Sequence, residues 1–116
     1  MMHIDLEDLV GNAFVVYLQK TGKRSLSMQK IDYFADNVVK DLHSKGVNAR
    51  LELSRNETIE FFSRYSEWFS YEEKDEMIIL KETVTVKDLI RKFSGYLGIE
   101  VLRSLRDEKN FQVLLE

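Results

Sequence analysis

Apolar residues recur along this chain with two different periods. Leu6, Leu9, Val10, Ala13, Phe14 and Tyr17 keep the i, i+3, i+4 spacing that gathers side chains on one helix face, which predicts a first helix over 5–20. Val15, Val16 and Leu18 widen that face, so cover on two sides is expected; a strand through 14–18 is the competing assignment, because the run is β-branched and aromatic. Thr21-Gly22 breaks the pattern. A second helix follows from Met28, Ile31, Phe34, Ala35, Val38, Val39 and Leu42. Ser25 and Ser27 are its candidate N-caps, and Gly46 suits the left-handed position that closes a helix.

After Gly46 the period becomes two. Val47, Ala49, Leu51 and Leu53 alternate with Asn48, Arg50, Glu52 and Ser54, as in a half-exposed strand. Ser54-Arg55-Asn56-Glu57 is a capping box that opens a short third helix with Ile59, Phe62 and Tyr65 facing inward. Residues 68–71 and 77–80 flank the polar run Glu72-Glu73-Lys74-Asp75-Glu76, which predicts a β-hairpin with a charged tip. Thr85-Val86-Lys87-Asp88 resembles a second capping box and opens a helix on Val86, Leu89, Ile90, Phe93 and Leu97, stopped around Gly98. A last helix is expected over 99–106, and the alternation of Phe111, Val113 and Leu115 makes them a candidate edge strand.

The predicted fold is α+β: a small antiparallel sheet of three to four strands packed by about five helices. The order is helix, helix, strand, helix, strand, strand, helix, helix, with the C-terminal strand as an optional addition. With 116 residues the expectation is one domain, which at this size buries roughly 65% of the surface exposed by the unfolded chain.

Composition narrows the function classes. No cysteine is present, so neither disulfides nor thiolate–zinc ligands are available, which fits a reducing compartment. The opening residues lack the charged-then-apolar order of a signal peptide, and the run Ala13 to Leu18 is far shorter than the ~20 residues a bilayer span needs. A cytoplasmic protein without membrane contact is expected. The net charge of −3 comes from 17 basic and 20 acidic residues interspersed along the chain, an ordinary surface without the basic excess of most nucleic-acid binders.

The residues needed for catalysis are scarce. His3 lies near the chain start, and His43 occupies the last turn of the second helix, where a cation complements the helix dipole. Lys20-Thr21-Gly22-Lys23-Arg24 contains a Thr-Gly-Lys, but the phosphate-binding loop needs a glycine five residues before Gly22, and Tyr17 stands there. Glu57 and Glu60 sit on one helix, with Glu57 already assigned to the capping box. Glu72, Glu73, Asp75 and Glu76 cluster at the hairpin tip without the central glycine of a calcium loop. No cofactor, no metal and no enzymatic activity are expected.

Aromatic residues are the strongest concentration. Six of the 13 lie between Phe61 and Tyr71. Adjacent residues on a helix point about 100° apart, so one stripe cannot easily bury both Phe61 and Phe62. Along a strand Trp68 and Phe69 point to opposite faces. Aromatic surface beyond one core is either covered by helices on a second sheet face, with the first helix as the candidate cover, or an anchor for a protein partner, because Trp and Tyr dominate interface hot spots. The predicted partner-binding residues are Phe61, Trp68, Phe69 and Tyr71, with Glu72, Glu73 and Asp75 as an acidic rim that favours a basic partner. The preferred reading is a small non-enzymatic protein-binding module: a regulator, an adaptor, or an inhibitor or immunity-type protein acting by occlusion. The alternative is a nucleic-acid-binding regulator of divergent winged-helix type, using the basic cluster Lys20, Lys23, Arg24 and Lys30. Against it, only one helix separates the first predicted strand from the hairpin, and the hairpin tip is acidic where a wing meets phosphate.

Overall fold

The computed structural model describes residues 2–51, 54–93 and 98–116. Among them eleven elements follow one another: β1 (Met2–His3), α1 (Leu6–Thr21), β2 (Ser25–Ser27), α2 (Met28–Ser44), β3 (Ala49–Arg50), α3 (Arg55–Arg64), β4 (Phe69–Glu72), β5 (Met77–Leu80), α4 (Val86–Phe93), α5 (Ile99–Leu105) and α6 (Glu108–Leu115). The fold is α+β, as the two hydrophobic periods predict, and the main sheet is a small antiparallel one in the order β2–β5–β4.

α1 is the axis of the molecule. Leu6, Leu9 and every residue from Val10 to Tyr17 are buried, because α4, α6, α2 and α3 all pack against it. The wide apolar face did predict cover on more than one side, and the competing strand over 14–18 is absent. Gly22 ends α1 in the left-handed region (φ 71°), and its amide donates to the Leu18 carbonyl at 2.9 Å. α2 begins where Ser27 accepts a hydrogen bond from the Lys30 amide, and Gly46 (φ 78°) follows its end as expected. The Thr85–Asp88 capping box forms in full, each side chain bonding the other's amide, and of the Ser54–Glu57 box the structure shows the Ser54 cap, which accepts from the Glu57 amide.

Four expectations are corrected. The residues after Gly46 do form a strand, but it covers only Ala49–Arg50 and pairs in parallel with Met2–His3 rather than joining the hairpin; Glu52 and Leu53 lie outside the described residues. The third strand of the main sheet is Ser25–Ser27, whose residues pair with Met77–Ile79. The Phe111–Leu115 segment is helical, because Phe111 and Leu114 at i, i+3 share a buried face and Asp107 caps the start by accepting from the Lys109 amide. Finally, α3 is rotated from the predicted face. Phe61 enters the core, Phe62 and Tyr65 are half-buried, and Ile59 is 59% exposed.

The core is one continuous cluster that includes Phe14, Phe34, Ile31, Val38, Phe69, Leu89 and Phe93. Ile90, expected among them, is 37% exposed, since α4 buries only the stripe of Leu89 and Phe93. Leu97 lies outside the described residues.

Two polar networks are built into the helical side. Fully buried Ser104 donates to the Asp41 carboxylate at 2.7 Å, and Asn110 donates to the same oxygen at 3.2 Å and to the Ser104 carbonyl at 2.8 Å. Asn12, also fully buried, donates to the Phe93 carbonyl at 3.2 Å and accepts from Arg106 Nε at 3.2 Å. These bonds tie α2 to α5 and α6, and α1 to α4 and the end of α5.

Candidate functional site

The rotation of α3 creates the main surface feature. With Phe61 turned into the core, Phe62 and Ile59 occupy the face beside β4. Phe62 stacks on Tyr71 with centroids 4.8 Å apart and planes 20° from parallel. Phe61 meets Phe62 edge-on at 5.0 Å and continues inward to Tyr65 and Phe69, at 5.2 and 5.6 Å. A chain of aromatic contacts therefore runs from the core to the surface. It ends in a groove of about 1000 Å³ between α3, β4 and the start of α2, with Met28, Ile59, Phe62 and Tyr71 as its apolar lining.

Hairpin geometry sets the charge around that lining. Glu72 turns back over the tip and accepts from the Lys74 and Asp75 amides at 2.9 and 3.0 Å, which shapes the turn. Glu76 takes a positive φ of 50°, and its carbonyl accepts from the Met28 amide at 2.8 Å. That bond holds the start of α2 against the hairpin and places Asp32, Glu73 and Glu76 along one end of the groove. Burial and the Glu76 charge raise the Asp32 carboxyl above its ordinary range. Burial also raises the Tyr71 hydroxyl, reinforced by Glu76, Glu73, Glu72 and Asp32. Four carboxylates thus bear on the Tyr71 hydroxyl. Arg55 and Lys81 also line the groove and offset part of this charge.

The predicted site residues separate. Tyr71 and Glu73 line the groove, and Phe69 underlies it at 1% exposure. Phe61 is core. Trp68 points elsewhere and packs edge-on against Phe93 at 5.7 Å. Asp75 is exposed at the hairpin tip, outside the groove lining, and Glu72 serves the turn. Sequence reasoning missed Met28, Asp32, Ile59, Phe62 and Glu76. The available signal was the adjacency of Phe61 and Phe62, which point about 100° apart on a helix; the sequence pattern sent Phe62 inward and Phe61 to the surface, and the structure reverses the two.

A smaller cleft of about 230 Å³ lies between the start of α1 and α3. Part of its charge is paired: the Tyr65 hydroxyl donates to Glu7, and Arg64 bridges Glu7 at 3.5 Å and Glu60 at 2.8 Å. Burial and the Glu7 carboxylate push the Tyr65 hydroxyl up to about 12. Among the described residues no three His, Asp or Glu side chains converge as metal ligands. No described helix is long and apolar enough to cross a membrane. The basic cluster of the alternative reading is partly engaged: Arg24 donates to the Lys81 and Val84 carbonyls at 2.7 and 2.9 Å, and Lys30 donates to the Glu116 carbonyl.

Comparison with protein-family models, curated proteins and solved structures returns no match to this chain.

Proposed function

We propose that this protein is a non-enzymatic protein-binding module whose partner docks a basic, partly apolar segment in the groove between α3 and β4. One observation carries the reading. A half-buried aromatic pair and an isoleucine at 59% exposure share a groove with Asp32, Glu73 and Glu76 at one end. Apolar surface in a concave site stabilises a complex through its burial, and a charged rim steers the encounter and selects the partner's sign. Regulation or inhibition by occlusion requires nothing more than such a surface.

The test is selection of a displayed random decapeptide library against the intact protein. Enrichment of peptides combining Lys or Arg with apolar residues supports the proposal, provided that Ile59→Asp abolishes their binding at unchanged Tm. Absence of a consensus, an acidic consensus, or binding indifferent to Ile59→Asp overturns it.

A further inference from the structure

β4 is an edge strand, and its outward main chain opens on the groove. Among the described residues the sheet order leaves β4 with β5 as its one neighbouring strand. In an antiparallel pair, residues alternate between those that bond the neighbouring strand and those whose N–H and C=O point away from it. The Lys81 amide donates to the Trp68 carbonyl at 3.0 Å, so Trp68, Ser70 and Glu72 are the positions bonded to β5. Phe69 and Tyr71 therefore direct their main-chain groups outward. The Phe69 amide is taken by the Tyr65 carbonyl at 2.9 Å, at the end of α3. Tyr71 lies beyond that bond, with its ring on Phe62 and its amide and carbonyl directed to the edge that no described strand pairs.

β2, the opposite edge, differs. It has three residues and runs directly into α2, with Ser27 capping the helix, so it offers no length for pairing. β4 has four residues, about 13 Å of strand at ~3.3 Å per residue, and faces α3 across a groove. An unpaired strand edge beside a helix-lined groove is the arrangement that accepts an added strand: main-chain bonds supply affinity, and alternate side chains enter the groove.

We infer that the partner segment binds as an added β-strand on β4, paired through the Tyr71 main chain, with a Lys or Arg side chain directed to Asp32, Glu73 and Glu76. The inference rests on the groove reading above and specifies its geometry. Charge complementarity decides the occupant. A second copy of this chain pairing β4 to β4 would set Glu72 against its own counterpart in parallel register and would offer it no cation from β4 in antiparallel register, whereas a basic strand meets the acidic residues favourably. Lys81 lines the groove along with Phe69 and Ser70, which places the basic residue at the Tyr71–Glu76 end.

The experiment uses a decapeptide taken from the selection and resynthesised with single N-methyl groups at successive residues. An added strand has every second amide directed at β4, so N-methylation should weaken binding about tenfold or more at alternate positions and little between them. The Tyr71 amide should exchange quickly in the free protein and become protected in the complex. A groove-dependent peptide that shows no period-two sensitivity, or leaves Tyr71 unprotected, overturns strand addition while leaving the groove as the binding site. Failure to select any groove-dependent peptide overturns both. A stable dimer in which Tyr71 is protected without peptide also overturns the inference, because the edge is then occupied by a second copy.

Discussion

The ring of Phe62 lies on the ring of Tyr71 at a centroid distance of 4.8 Å, joining α3 to the edge strand of the main sheet. This contact lies where the groove lining meets the core, and in the proposed reading it separates the binding surface from the interior. Phe61, one residue earlier, makes the corresponding contact on the inside with Phe69 at 5.6 Å. Binding and stability should therefore respond to different members of one aromatic cluster. Tyr71→Ala should abolish binding of the selected peptide and lower stability only modestly. Trp68→Ala should leave binding intact but cost roughly 2 kcal/mol, below the ~3–5 of a fully buried aromatic, because half-buried Trp68 packs on Phe93. Denaturant titration beside peptide affinity separates the two.

Gly11→Ala sets two effects against each other. Alanine favours the helix by about 1 kcal/mol over glycine. A Cβ at Gly11 would lie 2.3 Å from the Phe93 ring, and Phe93 is 3% exposed and already held by Tyr65, Trp68 and Phe69. The ring cannot yield without moving its neighbours, a strain of ~1–3 kcal/mol or more. The clash should win, and urea unfolding should show Gly11→Ala less stable than the parent. A more stable variant would mean that α1 and α4 are packed further apart.

Asp8 should make stability fall between acid and neutral pH. Burial, with Asp5 and Glu7 adding repulsion, raises its carboxyl to about 6. A raised carboxyl pKa means that the folded state binds the proton more tightly than the unfolded chain. This contribution is therefore favourable at low pH and is lost as pH rises through about 6. Asp8→Asn should stabilise the protein by roughly 1 kcal/mol at pH 8, with solvent screening and the helix dipole limiting the gain, and have little effect at pH 4. Thermal melts of both proteins across that range are the check.

Asp41 should behave in the opposite way. Burial works against its charge, but hydrogen bonds from Ser104, Asn110 and Lys45 outweigh it and hold the carboxyl below the ordinary range. Its stabilisation is present above the unfolded carboxyl pKa and disappears as pH falls through the lower folded value. Asp41→Ala leaves the Ser104 hydroxyl without its 2.7 Å partner and should cost about 1–3 kcal/mol at pH 7. That penalty should shrink in strong acid, measured by urea titration at each pH.

Nucleic-acid binding would require the basic turn to be free for phosphate. Arg24 is instead bound to two backbone carbonyls. A low-salt gel shift at high micromolar protein should show no complex; a shift weakened by Lys23→Gln would revive that reading.

Local order was legible in the sequence wherever local chemistry decided it. The helical stripe of α2, the left-handed glycines Gly22 and Gly46, the capping serines Ser27 and Ser54 and the Thr85–Asp88 box all depend on residues within about one turn, so their pattern survives without tertiary information. The width of the α1 apolar face likewise announced a central helix. What only the tertiary structure decided was pairing and rotation. Ser25–Ser27 is too short to carry a strand signal and becomes one because Met77–Ile79 lies beside it; Ala49–Arg50 finds its partner in Met2–His3, far away in sequence. The alternation at Phe111, Val113 and Leu115 suited a strand, yet Asn110 is held inward by Ser104 and Asp41, and the segment turns helical around that anchor. The face of α3 was settled in the same way. Its sequence required Phe61 and Phe62 to diverge, but only packing against Phe69 and Tyr65 sent Phe61 inward and left Phe62, with Ile59, facing the groove.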